Sequence, residues 1–285
     1  MRNEFVKVLT DLIQLNDRVF LMLGDIGVHG FRSVLSQHPR RAVNFGILEQ
    51  SMIGVAAGLA SEGMIPVIHT IAPFMIERAY EQIKIDLGYQ RLSSNLVSVG
   101  GSYDYSALGP THHCPADVNL LLNIQGMNIY LPGNSGEFSQ MFVGNYRSGL
   151  NYYRLSEESH SIGVFKKGVS YVREAPGSKY AVLFTGPSLR FFRPQASVYM
   201  GAWIIYANHI SLEERVLLPD RVKVCYVIQD FYRGAFDSLL IQANPDVNFK
   251  ILSPPIAPLA QYGDRVSAYQ SVGLSVDQVE EFCNE

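Results

Sequence analysis

The segment NFGILEQSMIGVAAGLASEG, residues 44–63, carries a carboxylate, Glu49, at the start of a run of apolar or very small residues. Gly63 is a stop signal, so the run predicts a helix that ends there. A Glu in a first helical turn is commonly only a partner for the helix dipole, worth about 0.3–1 kcal/mol. Interior glycine costs a helix up to about 1 kcal/mol, so Gly54 and Gly58 predict close packing against another backbone. In such a crowded core, Glu49 would be partly desolvated and able to hold or share a proton.

Composition limits the classes of protein that this chain can be. It has 285 residues, 47% of them hydrophobic and 17% charged, which is enough for two domains or one large domain with a real core. The net charge of −3 and the lack of a Lys/Arg run argue against nucleic-acid binding. No signal peptide or apolar run of about 20 residues is present, so no membrane association is expected.

The three cysteines are far apart and form no CxxC motif; they are Cys114, Cys225 and Cys283. This usage indicates a reducing compartment and no zinc site. We therefore expect a cytoplasmic protein, and the residues indicate no metal site on this chain.

Strands and helices alternate on both sides of the predicted 46–63 helix. Apolar runs bounded by turn residues predict strands at 18–23, 65–71, 95–100, 127–133 and 151–155. Helical spacing predicts helices at 2–15, 73–88 and 135–148, and residues 100–117 form a long loop. This alternation favours a mainly parallel α/β sheet with helices on both faces.

A second α/β unit is predicted after about residue 170. Its candidate strands are 177–186, 201–208 and 221–230, followed by a helix at 233–242. The segment REAPGSK, 173–179, is the best candidate linker. We therefore predict two domains, 1–170 and 171–285, each with a mainly parallel sheet flanked by helices.

Several catalytic motifs are missing from the sequence. It contains no GxGxxG, no GxxxxGK[ST], no HExxH and no GxSxG. These absences argue against a dinucleotide-binding fingerprint, a phosphate loop of the NTPase kind, a zincin and an α/β-hydrolase.

The 44–63 segment resembles the pyrimidine-binding domain of the transketolase family of thiamine-diphosphate enzymes. The matching words are Gly46-Ile47-Leu48-Glu49-Gln50, Ala57-Gly58-Leu59-Ala60 and Gly63-Met64-Ile65-Pro66. Similar words follow in the family's order: PFMIERAYEQI at 73–83, GPTHH at 109–113, GMNIYLPGNSGE at 126–137 and YYRLS at 152–156. Each match alone is weak. The Glu49 segment and the four segments after it make five matches in the family's order, and together they are specific. The later half resembles the family's C-terminal domain more weakly.

The resemblance gives Glu49 a chemical role. Thiamine diphosphate acts as a C2 carbanion, an electron sink for cleaving a bond next to a carbonyl. Its own aminopyrimidine removes the C2 proton once ring nitrogen N1′ is protonated or strongly hydrogen-bonded. In the family a glutamate supplies that contact, and the resemblance assigns this role to Glu49. Phe74 is the candidate that stacks on the ring, although a core packing role is the alternative.

The resemblance also suggests substrate and cofactor contacts. His112 aligns with the family's histidine and is expected to donate to a substrate oxygen; His113 stands where the family has Gln. Arg154 is the candidate clamp for a substrate phosphate, with a surface salt bridge as the alternative. Arg78, one turn after Phe74, is a candidate for the substrate or a subunit interface. Asp25 stands where the family has an acidic residue near the cofactor, and a turn cap is the alternative.

A complete transketolase also needs a diphosphate-binding domain, marked by G-D-G and a later Asn that hold Mg²⁺. The sequence contains no GDG motif, and the similar GDI at 24–26 has the wrong third residue. We also expect no further domain before the first strand. The resemblance therefore implies the C-terminal subunit of a split transketolase. A separate N-terminal subunit would hold the diphosphate and Mg²⁺, in an assembly expected to be α₂β₂. The SYDYSAL segment at 102–108 lacks the family's G-x-D-G, which leaves the substrate open.

The leading expectation is transfer of a two-carbon ketol unit between sugar phosphates. The nearest alternative is the beta subunit of a 2-oxoacid dehydrogenase's decarboxylating component, although the T-H-H loop favours the sugar enzyme. A 1-deoxyxylulose-phosphate synthase, normally one long chain with GDG, ranks third. A non-catalytic paralogue that acts as an interaction partner is the alternative from another class.

Overall fold

The first sheet is built mainly from the N-terminal half of the chain. A computed structural model describes residues 1–257, 259 and 262–285. The strands of this half are β1 (Val19–Leu23), β2 (Ala42–Asn44), β3 (Ile65–Ile71), β4 (Ser94–Val99), β5 (Met127–Tyr130) and β6 (Leu150–Leu155). Its α-helices are α1 (Arg2–Leu15), α2 (Arg32–Gln37), α3 (Glu49–Ser61), α4 (Tyr80–Gln82), α5 (Asp117–Leu121) and α6 (Ser135–Asn145).

The C-terminal half supplies the second sheet. The strands of this half are β7 (Val169–Arg173), β8 (Tyr180–Thr185), β9 (Trp203–Ala207), β10 (His209–Ile210), β11 (Val224–Ile228) and β12 (Asn248–Leu252), and all of them except β10 belong to the second sheet. Its α-helices are α7 (Ala235–Ala243), α8 (Arg265–Ser271) and α9 (Val276–Asn284).

Both sheets are mainly parallel, as predicted. The first has the order β10-β5-β6-β4-β3-β1-β2, and only β10 is antiparallel to its neighbour. The second has the order β12-β11-β8-β9-β7, and only β7 is antiparallel. The central strands β3, β4 and β6 are buried on both faces, so the polar residues within them are buried together with their apolar neighbours. Helix α1 buries one apolar stripe against the first sheet: Phe5, Val8, Leu9 and Ile13.

The connection between the two sheets differs from the predicted one. The predicted linker, residues 173–179, joins β7 to β8, and both strands belong to the second sheet. The chain crosses between the sheets in residues 156–168 instead. Strand β7 lies across the predicted boundary at 170, and β10 returns to pair with β5 of the first sheet. The Pro/Gly signal in 173–179 therefore marks a turn within one sheet.

The predicted regular helix at 73–88 is interrupted. Two π-helical segments, Pro73–Glu77 and Ile83–Tyr89, flank the short helix α4. π-Helical turns insert an extra residue per turn and frequently occur at functional sites. Apolar periodicity cannot reveal such an insertion, because the pattern stays close to a helical one.

The predicted close packing at two glycines of α3 is wrong. A Cβ atom at Gly58 would meet nothing within 4 Å, and one at Gly54 would lie 3.8 Å from Asp86 Oδ2. Both glycines lie on the exposed face of α3. A glycine outside α3 does pack closely: a Cβ atom at Gly88 would lie 2.5 Å from Cγ2 of Ile124.

Within the part of the chain that the structure describes, no helix combines the length and apolarity needed to cross a membrane. The three cysteines are buried and unpaired.

Candidate active site

The carboxyl ends of the parallel strands bring the candidate residues to one edge of the first sheet. Glu49 comes after β2, Phe74 and Arg78 come after β3, and His112 comes after β4. Loops at the carboxyl edge of a parallel sheet are the usual place for a ligand site. The fold therefore gathers residues that are up to 63 positions apart in the chain.

Glu49 is a buried carboxylate with both oxygens bonded. It is the first residue of α3 and is 3% exposed. Oγ1 of Thr70 donates to its Oε1 at 3.1 Å, and Nη1 of Arg78 donates to its Oε2 at 2.8 Å. Oγ1 of Thr70 also lies 3.4 Å from the carbonyl oxygen of Gly24 at the end of β1. These contacts hold the carboxylate in place between β1, β3 and α3.

An aromatic ring and a cation lie beside this carboxylate. The guanidinium carbon of Arg78 lies 4.3 Å from the centroid of the Phe74 ring. The His112 ring meets Phe74 edge-on, with centroids 5.1 Å apart and an angle of 74°. Glu49, Phe74, Arg78 and His112 thus form one cluster.

Asp25 lies at the same edge but is bonded to another residue. It is exposed and has a positive φ of 59°. Its N–H donates to Oδ1 of Asn44, and Nδ2 of Asn44 donates to its Oδ1, each at 3.1 Å. This reciprocal pair joins the ends of β1 and β2, so the geometry favours the turn-capping alternative.

His113 points away from the Phe74 ring into a cleft of about 170 Å³. It is 8% exposed and packs edge-on against Tyr103, with centroids 5.2 Å apart. Glu77 and Tyr232 also line this cleft. Burial lowers the pKa of His113 below its usual value of 6.5, so the ring is neutral at pH 7. Its Nε2 is buried and has no hydrogen-bond partner among the described residues.

The predicted phosphate clamp, Arg154, is buried away from solvent. It lies in β6 and is 1% exposed. Its Nε donates to Oδ2 of Asp117 at 2.7 Å, and its Nη1 donates to Oδ1 of Asp230 at 2.8 Å. Both carboxylates are buried as well. The guanidinium is therefore neutralised within the chain, and the geometry supports neither the phosphate clamp nor a surface salt bridge.

This ion-pair cluster, Arg154 with Asp117 and Asp230, joins the two sheets. Arg154 belongs to the first sheet, whereas Asp230 follows β11 of the second. Sequence reasoning did not single out either carboxylate. The available signal was an arginine inside an apolar strand, because a fully buried arginine requires an ionised or polar partner.

Asp104 is a second buried acid near this cluster that the sequence did not reveal. Its oxygens accept hydrogen bonds from Oγ of Ser156 at 3.1 Å and from the N–H of Glu157 at 3.0 Å. Burial nevertheless raises the pKa of Asp104 from 3.8 to about 7. The carboxyl therefore titrates near neutral pH in the folded chain.

We expect Asp104 to make the protein less stable as pH rises toward 7 and above. Above pH 3.8 the unfolded chain has lost the proton of the Asp104 carboxyl, whereas the folded chain keeps that proton up to about pH 7. The contribution of Asp104 to stability is therefore fully present below pH 3.8 and is lost as pH rises through about 7. The Asp104→Asn variant should show a smaller fall in unfolding free energy between pH 5 and pH 8, by on the order of 2 kcal/mol. Urea unfolding at four pH values measures this. Asp246→Asn, at an exposed site, is the control, and equal slopes for all three proteins would contradict the assignment.

Comparisons with known proteins match the chain to a family model and to several relatives. Residues 1–152 match the family model described as the transketolase pyrimidine binding domain. The chain is 34% identical over 211 residues to an uncharacterized 33.6 kDa protein in the fasciation locus of Rhodococcoides fascians, covering 74% of this chain and 67% of that protein. It is 37% identical over 123 residues to one of the subunits of apulose-4-phosphate transketolase of Actinobacillus succinogenes, covering 42% of this chain and 39% of that protein.

Structural similarity covers the whole chain. A solved structure described as a split gene transketolase, inactive beta4 tetramer, matches 99% of this chain and 96% of its own, with a TM-score of 0.81 and 18% identity. At that identity the match shows the fold, including the predicted C-terminal domain.

By sequence, the chain also matches 1-deoxy-D-xylulose-5-phosphate synthase of Thermus thermophilus. It is 24% identical to that protein over 255 residues, covering 86% of this chain and 41% of that protein.

The chain matches less than half of the length of the Actinobacillus succinogenes transketolase subunit. The family is established by the matched domain, which covers more than half of the chain, and the predicted resemblance is confirmed. The chain belongs to the transketolase family, through its pyrimidine-binding domain.

Proposed function

We propose that the chain is the C-terminal subunit of a split, thiamine-diphosphate-dependent transketolase that moves a two-carbon ketol unit between sugar phosphates. The observation that carries this proposal is the buried Glu49 carboxylate beside the Phe74 ring at the carboxyl edge of the first sheet. That pairing provides one anionic acceptor and one aromatic face for a planar, protonated ring.

The residues present fit an aminopyrimidine. A planar cation, the guanidinium of Arg78, already donates to Glu49 and lies over Phe74. A ring that donates to a carboxylate and stacks on an aromatic face needs the same two contacts. When bound, thiamine diphosphate would supply an electron sink for carbon–carbon bond cleavage.

Each residue of the cluster then has a role toward the ring or the substrate. Glu49 holds a proton at the ring nitrogen, and Phe74 orients and desolvates the ring. His112 is half-buried and donates to a substrate oxygen. His113 is a second hydrogen-bonding group for the substrate, since its buried Nε2 is free among the described residues. Arg78 is the candidate substrate cation, and Asp25 remains a weaker candidate near the cofactor.

A separate diphosphate-binding subunit would complete the site and hold Mg²⁺. The sequence has no GDG, and large apolar side chains are exposed around the start of α3: Ile47 at 66%, Leu48 at 55% and Val55 at 43%. Exposed apolar patches of this kind mark association surfaces. The similar solved structure is described as an inactive β4 tetramer, which supports our expectation that this chain is inactive alone. We propose an α₂β₂ assembly in the cytoplasm.

The substrate class has a second candidate. The match to a synthase that makes 1-deoxyxylulose phosphate extends over 86% of the chain. The 2-oxoacid dehydrogenase component considered above would use a 2-oxoacid as its donor instead of a ketose phosphate, so the preferred donor separates these activities. Because Arg154 is already neutralised by two carboxylates, we propose Arg78 or a residue of the partner subunit as the group that holds a substrate phosphate.

The test is cofactor binding and transfer with and without the partner. Calorimetry with thiamine diphosphate and Mg²⁺ should detect binding when a GDG-containing subunit is added and not with this chain alone. The assembled protein should then transfer ketol from a ketose phosphate faster than it consumes pyruvate. Pyruvate as the better donor would favour the second candidate. If the assembled protein neither binds the cofactor nor shows activity, the chain is an interaction partner and this proposal is wrong.

A further inference from the structure

Arg78 makes the two contacts that the proposed cofactor ring would need. Its Nη1 lies 2.8 Å from Oε2 of Glu49, and its guanidinium carbon lies 4.3 Å from the centroid of Phe74. Phe74 and Arg78 are four residues apart, at the end of the π-helical segment Pro73–Glu77. The guanidinium thus lies between the carboxylate and one face of the aromatic ring.

We propose that Arg78 competes with the aminopyrimidine for Glu49 and Phe74, and so sets the affinity for the cofactor. This inference rests on the proposed function. The guanidinium is planar, cationic and a hydrogen-bond donor, which are the properties of a ring protonated at its nitrogen. Both cannot donate to the same oxygen of Glu49 and stack in the same place.

The structure also favours the release of Arg78. Its side chain is 41% exposed, whereas that of Glu49 is 2% exposed. A partly exposed ion pair is weak, because solvent screens it and side-chain entropy opposes it. Once Arg78 leaves, the hydrogen bond from Oγ1 of Thr70 is the one that the described residues still donate to the Glu49 carboxylate. The carboxylate then has one oxygen that needs a donor, and the ring nitrogen can supply it.

The sign of a mutational effect separates competition from positioning. If Arg78 only held Glu49 in its orientation, removing the guanidinium would loosen the carboxylate and weaken cofactor binding. If Arg78 competes, removing it uncovers both contacts and strengthens binding. Thr70 and the start of α3 hold Glu49 in place in either case.

The test compares thiamine-diphosphate affinity, by calorimetry with Mg²⁺, for the chain assembled with its diphosphate-binding subunit. Arg78→Met keeps the length and apolar packing of the side chain but cannot donate. It should bind the cofactor about three- to thirty-fold more tightly than wild type, which is the fold-change expected from one exposed ion pair and one cation–π contact. The cofactor affinity of Arg78→Lys should lie between those of wild type and Arg78→Met.

Arg147→Met is the matched control, because Arg147 is also exposed and its guanidinium lies over an aromatic ring, 5.5 Å from the centroid of Tyr146. It should leave cofactor affinity unchanged. Raising the salt concentration should shrink the ratio between Arg78→Met and wild type, since salt screens the exposed ion pair. Equal or weaker binding by Arg78→Met would overturn the competition while leaving the proposed function intact. If neither wild type nor variant binds the cofactor, the proposed function and this inference are both wrong.

Discussion

Replacing Glu49 by glutamine is expected to lower kcat/KM for ketol transfer by about 10²–10⁴-fold, the range for removing a proton-transfer group. Glutamine has the same shape and can still accept the hydrogen bond from Thr70. Its amide carries no charge and cannot hold a proton at the ring nitrogen as a carboxylate does. The change should therefore remove activation of the cofactor while the fold persists.

The measurement is steady-state transfer by the assembled protein, together with urea unfolding of each variant. Glu62→Gln is the control, because Glu62 is exposed and follows the C-terminal end of the same helix. It should retain wild-type kinetics. Normal ketol transfer by Glu49→Gln would rule out the assigned role of Glu49. If Glu49→Gln loses both activity and folding, the comparison with Glu62→Gln is uninformative. The Glu49→Asp variant, which keeps a carboxylate, then tests the same role.

Much of the first sheet and the core of the candidate site could be predicted from the sequence. The predicted strand at 65–71 has the bounds of β3 (Ile65–Ile71), because a strand that is buried on both faces is rich in apolar residues along its whole length. Glu49 was identified because a carboxylate that opens an apolar helix is locally unusual. Phe74 and His112 follow neighbouring strands, so the parallel topology already placed them near Glu49.

What the sequence could not predict depends on contacts between distant residues. The partners of Arg154 lie 37 positions before it and 76 after it, and no periodicity connects them. The pairing of Arg78 with Glu49 depends on the π-helical segment, which the apolar pattern does not reveal. The position of the crossing between the sheets depends on β7, a short, half-buried edge strand that the sequence did not predict.

The largest stability effect should come from Arg154. Arg154→Met keeps an apolar side chain of similar length but leaves Asp117 and Asp230 buried without their cation. Breaking a buried ion pair by removing one partner typically costs about 3–5 kcal/mol of unfolding free energy. The cost should be measurable by urea unfolding at pH 8. Arg193→Met is the matched control, because Arg193 also pairs with two carboxylates but on the surface, and it should change stability little.

The penalty in Arg154→Met should also depend on pH and on the carboxylates. Burial raises the pKa of Asp117 even with Arg154 beside it, so without the cation this carboxyl will take a proton more readily as pH falls, and the loss should be smaller at pH 5 than at pH 8. Adding Asp117→Asn and Asp230→Asn to Arg154→Met should restore much of the stability, because no buried charge then remains unpaired. If the single and triple variants are equally unstable at both pH values, packing around Arg154 and not its charge joins the two sheets.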